Sequence, residues 1–161
     1  MKKTNVRVVS MNAMIACLYA VSTLAISPIA YGGIQMRISE ILIFLSFYNR
    51  KYVPGLVIGC FIANMASPMG VWDMTFGTLA TLIAVVLISR QKSLFVSALI
   101  GAIVNGLIVG IELHLSLGLP LFINVLYVFI GEYLVLLLGV PVYKYMERNK
   151  TFFVKYISQN Q

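Results

Sequence analysis

The sequence predicts an all-α bundle of six membrane-spanning helices, and three observations predict it. The composition is 60% hydrophobic and 11% charged over 161 residues, with a mean hydropathy of +0.94. Soluble domains have about 45–50% apolar and about 25% charged residues. Apolar runs recur along the whole chain, and at about 20 residues per span this length holds about six helices and no soluble catalytic domain. The net charge is +7, and its basic residues sit in short clusters between the apolar runs: Lys2, Lys3 and Arg7; Arg50 and Lys51; Arg90 and Lys92; Lys144 onward. A nucleic-acid-binding face gathers its charge on one surface, whereas clusters alternating with apolar runs mark cytoplasmic loop ends. The expectation is a multi-pass protein of the plasma membrane, lodged in lipid, with both termini cytoplasmic and no nucleic-acid partner.

The first span, residues 9–29, follows Lys2, Lys3 and Arg7 and ends at Pro28 and Gly32-Gly33. It is longer than the apolar core of a secretory signal, about 7–15 residues, and a cut after Ala30 would put Pro28 at the −3 position, so it reads as a retained helix. Asn12, Ala16 and Ala20 recur every four residues, a narrow strip suited to close approach of another helix from the same chain or from a partner. The second span, residues 38–49, is about 18 Å long. Arg37 and Glu40 at its start are spaced to pair across one turn, or to face a ligand. In the third, residues 52–66, Gly55, Gly59 and Ala63 continue to Ser67 as a small-residue stripe, with Asn64 one position off it. The fourth, residues 72–89, opens on Trp72 and Asp73. Asp73 is placed to cap that helix, and Trp72 serves either as an interfacial anchor or as a stacking platform. The fifth, residues 93–115, carries Gly106 and Gly110. The sixth, residues 119–146, follows Gly118-Leu119-Pro120 and leads into a basic tail, residues 144–161. Residues 1–161 thus read as a single integral membrane domain. The loops after the third and fifth spans have no Lys or Arg, and the loop after the first has only Arg37. Six helices satisfy the positive-inside rule at every loop, whereas fusing the second and third spans would place Arg90 and Lys92 outside.

Polar groups inside a bilayer are costly and are kept for ligands, ions or helix pairing. Asn105 and Glu112, seven apart, share one helix face with Gly101, Ile108 and Val109, and on the next helix Asn124 and Glu132 fall within about 80° of each other. On the six-span topology Arg37, Glu40, Asn64, Trp72, Asp73, Glu112 and His114 lie toward the outer side. Asn105 lies about 10 Å deeper than Glu112, and Glu132 deeper still. A pocket loaded from outside is expected. Enzyme chemistry finds little support. Ser116 near His114 lacks a nucleophile elbow, and Glu112 and His114, two apart, point about 200° apart and cannot share a metal. No phosphate-binding GxxxxGK[ST] occurs. Cys17 and Cys60 lack metal-ligand or CxxC spacing and read as small buried side chains. No catalysis, metal or resident cofactor is expected. A stand-alone proton-coupled transporter, with Glu112 and Glu132 exchanging protons for a cationic substrate, satisfies these residues, although no internal repeat is visible.

The stretch from Gly33 through Gln35, Arg37 and Glu40, then Pro54 to Cys60 with Asn64, Ser67 to Asp73, and Gly131-Glu132, resembles the QueT family over about residues 8–146. These are substrate-binding S-components of energy-coupling factor (ECF) transporters. The resemblance implies a six-helix S-component that captures a queuosine precursor in an outward pocket, 7-aminomethyl-7-deazaguanine (pre-queuosine-1) ahead of its nitrile precursor and queuine. It also implies partners, a transmembrane T protein and two ATPase subunits that hydrolyse the ATP, and toppling of the S-component to deliver the cargo. Ala16-Cys17-Leu18-Tyr19-Ala20 has the AxxxA form many S-components use against the T protein, so Ala16 and Ala20 are expected there. For this ligand, Glu112 is the expected acceptor of the guanine-edge N–H groups, with Asp73 or Glu40 near the ammonium. Glu132 is a second acid or a structural residue, Asn105 or Asn64 reads the carbonyl and ring edges, and Trp72 stacks on the ring. Arg37 and His114 complete the candidate set.

Overall fold

The computed structural model describes residues 6–31 and 36–148, and all secondary structure among them is helical. In order these are α1 (Val6–Ala25), α2 (Ser27–Ala30), a 3-10 stretch (Ile38–Phe44) running into α3 (Leu45–Tyr48), and a 3-10 turn (Arg50–Tyr52) before α4 (Val53–Asn64). A π turn (Asp73–Gly77) then runs into α5 (Thr78–Ile88), followed by α6 (Leu94–Leu117) and α7 (Leu121–Arg148). The all-α class agrees with the sequence, but the described residues form seven α-helices rather than six. The first predicted span is broken at Ile26 (φ −120°, ψ 28°), and Pro28 sits in the first turn of the short helix that restarts there, where its missing N–H breaks no bond within that helix. The second is mostly 3-10. By length and composition, three described helices can cross a membrane: Val6–Ala25, Leu94–Leu117 and Leu121–Arg148. Ile38–Tyr48 and Asp73–Ile88 are shorter apolar segments. α7 takes up the start of the predicted basic tail as far as Arg148; the rest of that tail, and Gly32-Gly33, lie outside the described residues.

Apolar side chains point outward as well as inward. Met14, Leu18, Leu107, Phe122 and Leu138 are exposed, Phe122 by 86%. Such a surface would be an aggregation hazard in water and is ordinary in hydrocarbon, where helices satisfy their own backbone groups. Inside, Tyr19, Phe44, Leu56, Val85, Ile88 and Leu136 belong to one buried cluster. α6 and α7 form a hairpin. Gly118 adopts φ +67° after α6, the left-handed residue that ends many helices, and its N–H returns to His114 O at 3.0 Å. Gly106 and Gly110 then let α7 approach closely: a Cβ on Gly106 would lie 2.9 Å from Phe129 Cβ.

α1 packs on α4 in the same way. A Cβ on Gly59 would lie 2.9 Å from Ala16 Cα and 2.8 Å from Tyr19 Cβ. Ala16 and Ala20 are each only 6% exposed. Of the two placements the spacing allows, the packing seen here is the one inside the chain, where Gly59 of α4 meets Ala16. Cys60 is buried, but Cys17 lies on the exposed face of α1.

The basic ends collect at one end of the bundle. Arg50 Nε donates to Ser89 O at 3.2 Å, the Tyr48 hydroxyl donates to Glu147 at 2.8 Å, and Lys144 Nζ stands 4.6 Å above the Phe95 ring. Asn12 brings the start of α1 to the same end, donating to Lys51 O at 2.9 Å.

Candidate functional site

Away from that basic end, the chain buries a cluster of charge. Arg37 precedes the 3-10 stretch in an extended conformation (φ −95°, ψ 100°), so its side chain does not share a helix face with Glu40. The expected pairing across one turn gives way to a long-range one: Arg37 donates to Asp73 Oδ1 at 3.1 Å, with the two side chains 6% and 1% exposed. Arg37 Nε also reaches Ala30 O at 3.4 Å, and the guanidinium stands 5.3 Å over the Tyr31 ring. Partial burial raises the Tyr31 phenol above its ordinary range, which keeps it a donor, and it bonds Ala63 O at 2.5 Å. Asp73 does not cap a helix. It begins the π turn, its Oδ2 accepts from Ser67, and its backbone carbonyl accepts from Asn64 Nδ2 at 2.9 Å.

Beside this ion pair lies a very small cavity of about 10 Å³, lined by Arg37, Glu40, Asn105, Val109, Val128 and Glu132. Ligand pockets usually measure about 300–1,000 Å³, so a flat bicyclic base would need these side chains to shift. Asn105 Nδ2 donates to Glu132 Oε1 at 3.2 Å. The contact puts the two at one depth, not Glu132 below Asn105, because the hairpin runs the two helices antiparallel. The charges of Glu40 and Arg37 both act on the Glu132 carboxyl. Glu40 Oε1 accepts from the Tyr19 hydroxyl, while its Oε2 has no donor. Glu112, fully buried on the same face of α6 as Asn105, faces Asp73, and neither of its oxygens has a donor. Asn64 Oδ1 is likewise unmatched.

Two predicted residues stand apart. Trp72 is 41% exposed and packs on Phe76 with ring centroids 5.6 Å apart, and exposed His114 bonds Leu119 O at 2.7 Å at the hairpin turn. Among the described residues, no group of three or more His, Cys, Asp or Glu side chains is placed to hold a metal ion.

Residues 9–148 match the family described as QueT transporter. The chain belongs to the QueT transporter family. A curated relative, the queuosine precursor transporter QueT of Lactococcus lactis subsp. cremoris (strain MG1363), is 41% identical over 85 residues. That stretch is 52% of this chain and 50% of the relative, so the match spans about half the length of each. No solved structure matches the chain.

In this QueT-family chain the buried cluster sets one guanidinium, Arg37, against the carboxyls of Glu40, Asp73, Glu112 and Glu132. Acceptors outnumber donors, so the arrangement can take a ligand rich in N–H groups or positive charge. Sequence reasoning missed Tyr19, Ser67 and Tyr31. Tyr19 had a usable signal, because a phenol in mid-span must find a buried partner. Ser67 and Tyr31 had none, since their partners are set by loop geometry. The facing acids give a first expected result: Glu112→Gln stabilises the fold by about 1–3 kcal/mol, because the new amide donates to Asp73 where two carboxyls now face each other. Thermal unfolding in detergent checks this.

Proposed function

We propose that this chain is the substrate-binding subunit of an ATP-driven ECF importer and captures a queuosine precursor, 7-aminomethyl-7-deazaguanine, in the buried cluster. The observation that carries the reading is the acceptor-rich interior, one guanidinium among four carboxyls with unmatched oxygens on Glu40 and Glu112. A deazaguanine presents adjacent N–H donors that one carboxylate accepts in bidentate fashion, and its aminomethyl cation takes a second acid. Glu112 is assigned the base edge and Glu40 the ammonium, while Asp73 is committed to Arg37 and Ser67. Asn105 and Glu132 hold the rim. Asn64, Trp72 and His114 are left with supporting roles. A T protein and two ATPases supply the energy, and the chain needs no cofactor of its own. With Ala16 and Ala20 packed internally, the face of α1 open to a partner is that of Met14, Leu18 and Val21. Six membrane passes, with both termini and the basic end cytoplasmic, fit the gathering of Arg50, Ser89 and Lys144 away from the site.

Calorimetric titration of the purified chain with 7-aminomethyl-7-deazaguanine, using guanine and an unrelated vitamin as controls, tests the cargo. Selective submicromolar binding, lost in Glu112→Gln although that variant folds more stably, is the expected result; a folded sample that binds none of them overturns the assignment. A second reading, a stand-alone proton-coupled carrier, has the facing Glu112 and Asp73 carboxyls in its favour. It requires uptake into vesicles holding this chain alone, abolished when the proton gradient collapses. The importer reading requires the ATPases.

A further inference from the structure

Tyr19 has no exposed surface, and its Cβ is seated against the Gly59 notch of α4. Its hydroxyl crosses from α1 to the 3-10 stretch and donates to Glu40 Oε1. The second oxygen of that carboxyl, Oε2, is buried without a donor, and Glu40 lines the cavity with Arg37, Asn105 and Glu132. The nearby Thr81 hydroxyl pairs with Cys60 Sγ at 3.1 Å. The geometry points to Tyr19 as a positioning residue that fixes Glu40 so that Oε2 is presented to the cationic arm of the cargo. It rests on the reading above that the cavity takes a base bearing an aminomethyl group.

Glu40 suits the role better than the other acids. Both Asp73 oxygens are engaged, by Arg37 and Ser67, Glu132 already accepts from Asn105, and Glu112 is assigned the base edge. A buried oxygen left without a donor is costly, and a ligand ammonium removes that cost on binding. A free glutamate side chain would lose rotamer freedom when it grips the ammonium. One already held by a phenol loses little, and affinity rises through pre-organisation. Selectivity follows. A neutral arm at the same ring position gains nothing from Oε2, so Tyr19 bears on which precursor binds and not only on how tightly.

The test titrates wild type, Tyr19→Phe, Glu40→Gln and the double variant with 7-aminomethyl-7-deazaguanine and with its neutral 7-cyano counterpart. Tyr19→Phe is expected to weaken the aminomethyl compound about 10-fold to 100-fold, the size of one hydrogen bond to a charged group, and the cyano compound less than about 2-fold. Glu40→Gln shows at least as large a loss on the aminomethyl compound alone, and adding Tyr19→Phe to it changes nothing further. An equal loss on both compounds in Tyr19→Phe, or no loss, overturns the assignment while leaving the cargo reading standing. If Tyr19→Phe does not fold, unchanged selectivity in Glu40→Gln has the same force. A folded wild type that binds neither compound overturns the cargo reading and this inference with it.

Discussion

Replacing Arg37 with methionine is expected to destabilise the fold by about 3–5 kcal/mol, the cost of leaving a buried charge without its partner. Asp73 would keep only the Ser67 hydroxyl, with the Glu112 carboxyl against it. The loss reaches further than one pair, because the Arg37 charge also acts on Glu40, Glu112 and Glu132. Asp73→Asn is expected to cost less. The amide keeps an oxygen for Arg37, and the remaining carboxyls still offset the guanidinium. Thermal unfolding in one detergent separates the two: for a chain of this size the Arg37→Met midpoint falls by on the order of 10 °C. Equal losses in the two variants would show that the pair acts alone and that the surrounding carboxyls carry no net charge to be balanced.

The second large effect is steric. In Gly59→Leu even the first side-chain carbon collides with Ala16 Cα and Tyr19 Cβ, at 2.9 and 2.8 Å, atoms fixed to the α1 backbone that cannot swing aside. Helix α1 must move off α4. Overpacking of this kind costs about 1–3 kcal/mol and at a helix–helix contact can exceed that. The displacement also carries Tyr19 away from Glu40, so ligand binding and stability are expected to fall together. Ile58→Leu, one residue earlier on the exposed face, serves as the control and should change neither. Size-exclusion profiles with titration of the monodisperse fraction measure both. A folded Gly59→Leu that binds normally would mean that α1 is not seated in the α4 notch.

The sequence was readable where periodicity alone decides the outcome. Gly101, Asn105, Val109 and Glu112 are all buried on one face of α6, as a spacing of three and four residues requires. Gly55 and Gly59 announced a close helix contact, though not which helix would fill it. The strip of Ala16 and Ala20 is the same on paper whether it meets α4 or another protein. What stayed hidden depends on separation in sequence and on irregular backbone. Arg37 meets Asp73 across 36 positions, while its neighbour Glu40 is nearer only along the chain. Helical spacing gave the wrong partner because Arg37 is extended. The same holds for Asp73, read as an ordinary cap because nothing in Asp-Met-Thr-Phe-Gly signals a π turn.

That turn sets the phase of everything after it. Fitting one extra residue into a turn advances the following helix by about 100°, so the buried face of α5 and the carboxyl of Asp73 stand in a register that an uninterrupted α-helix would not give. Deleting a single residue between Asp73 and Gly77 would keep the apolar pattern of α5 and shorten the chain by hardly more than 1.5 Å. It would nevertheless swing Asp73 about a quarter turn away from Arg37. The ion pair is therefore encoded in a count of residues as much as in their identities, a kind of information that substitution leaves untouched and one-residue deletion reads directly.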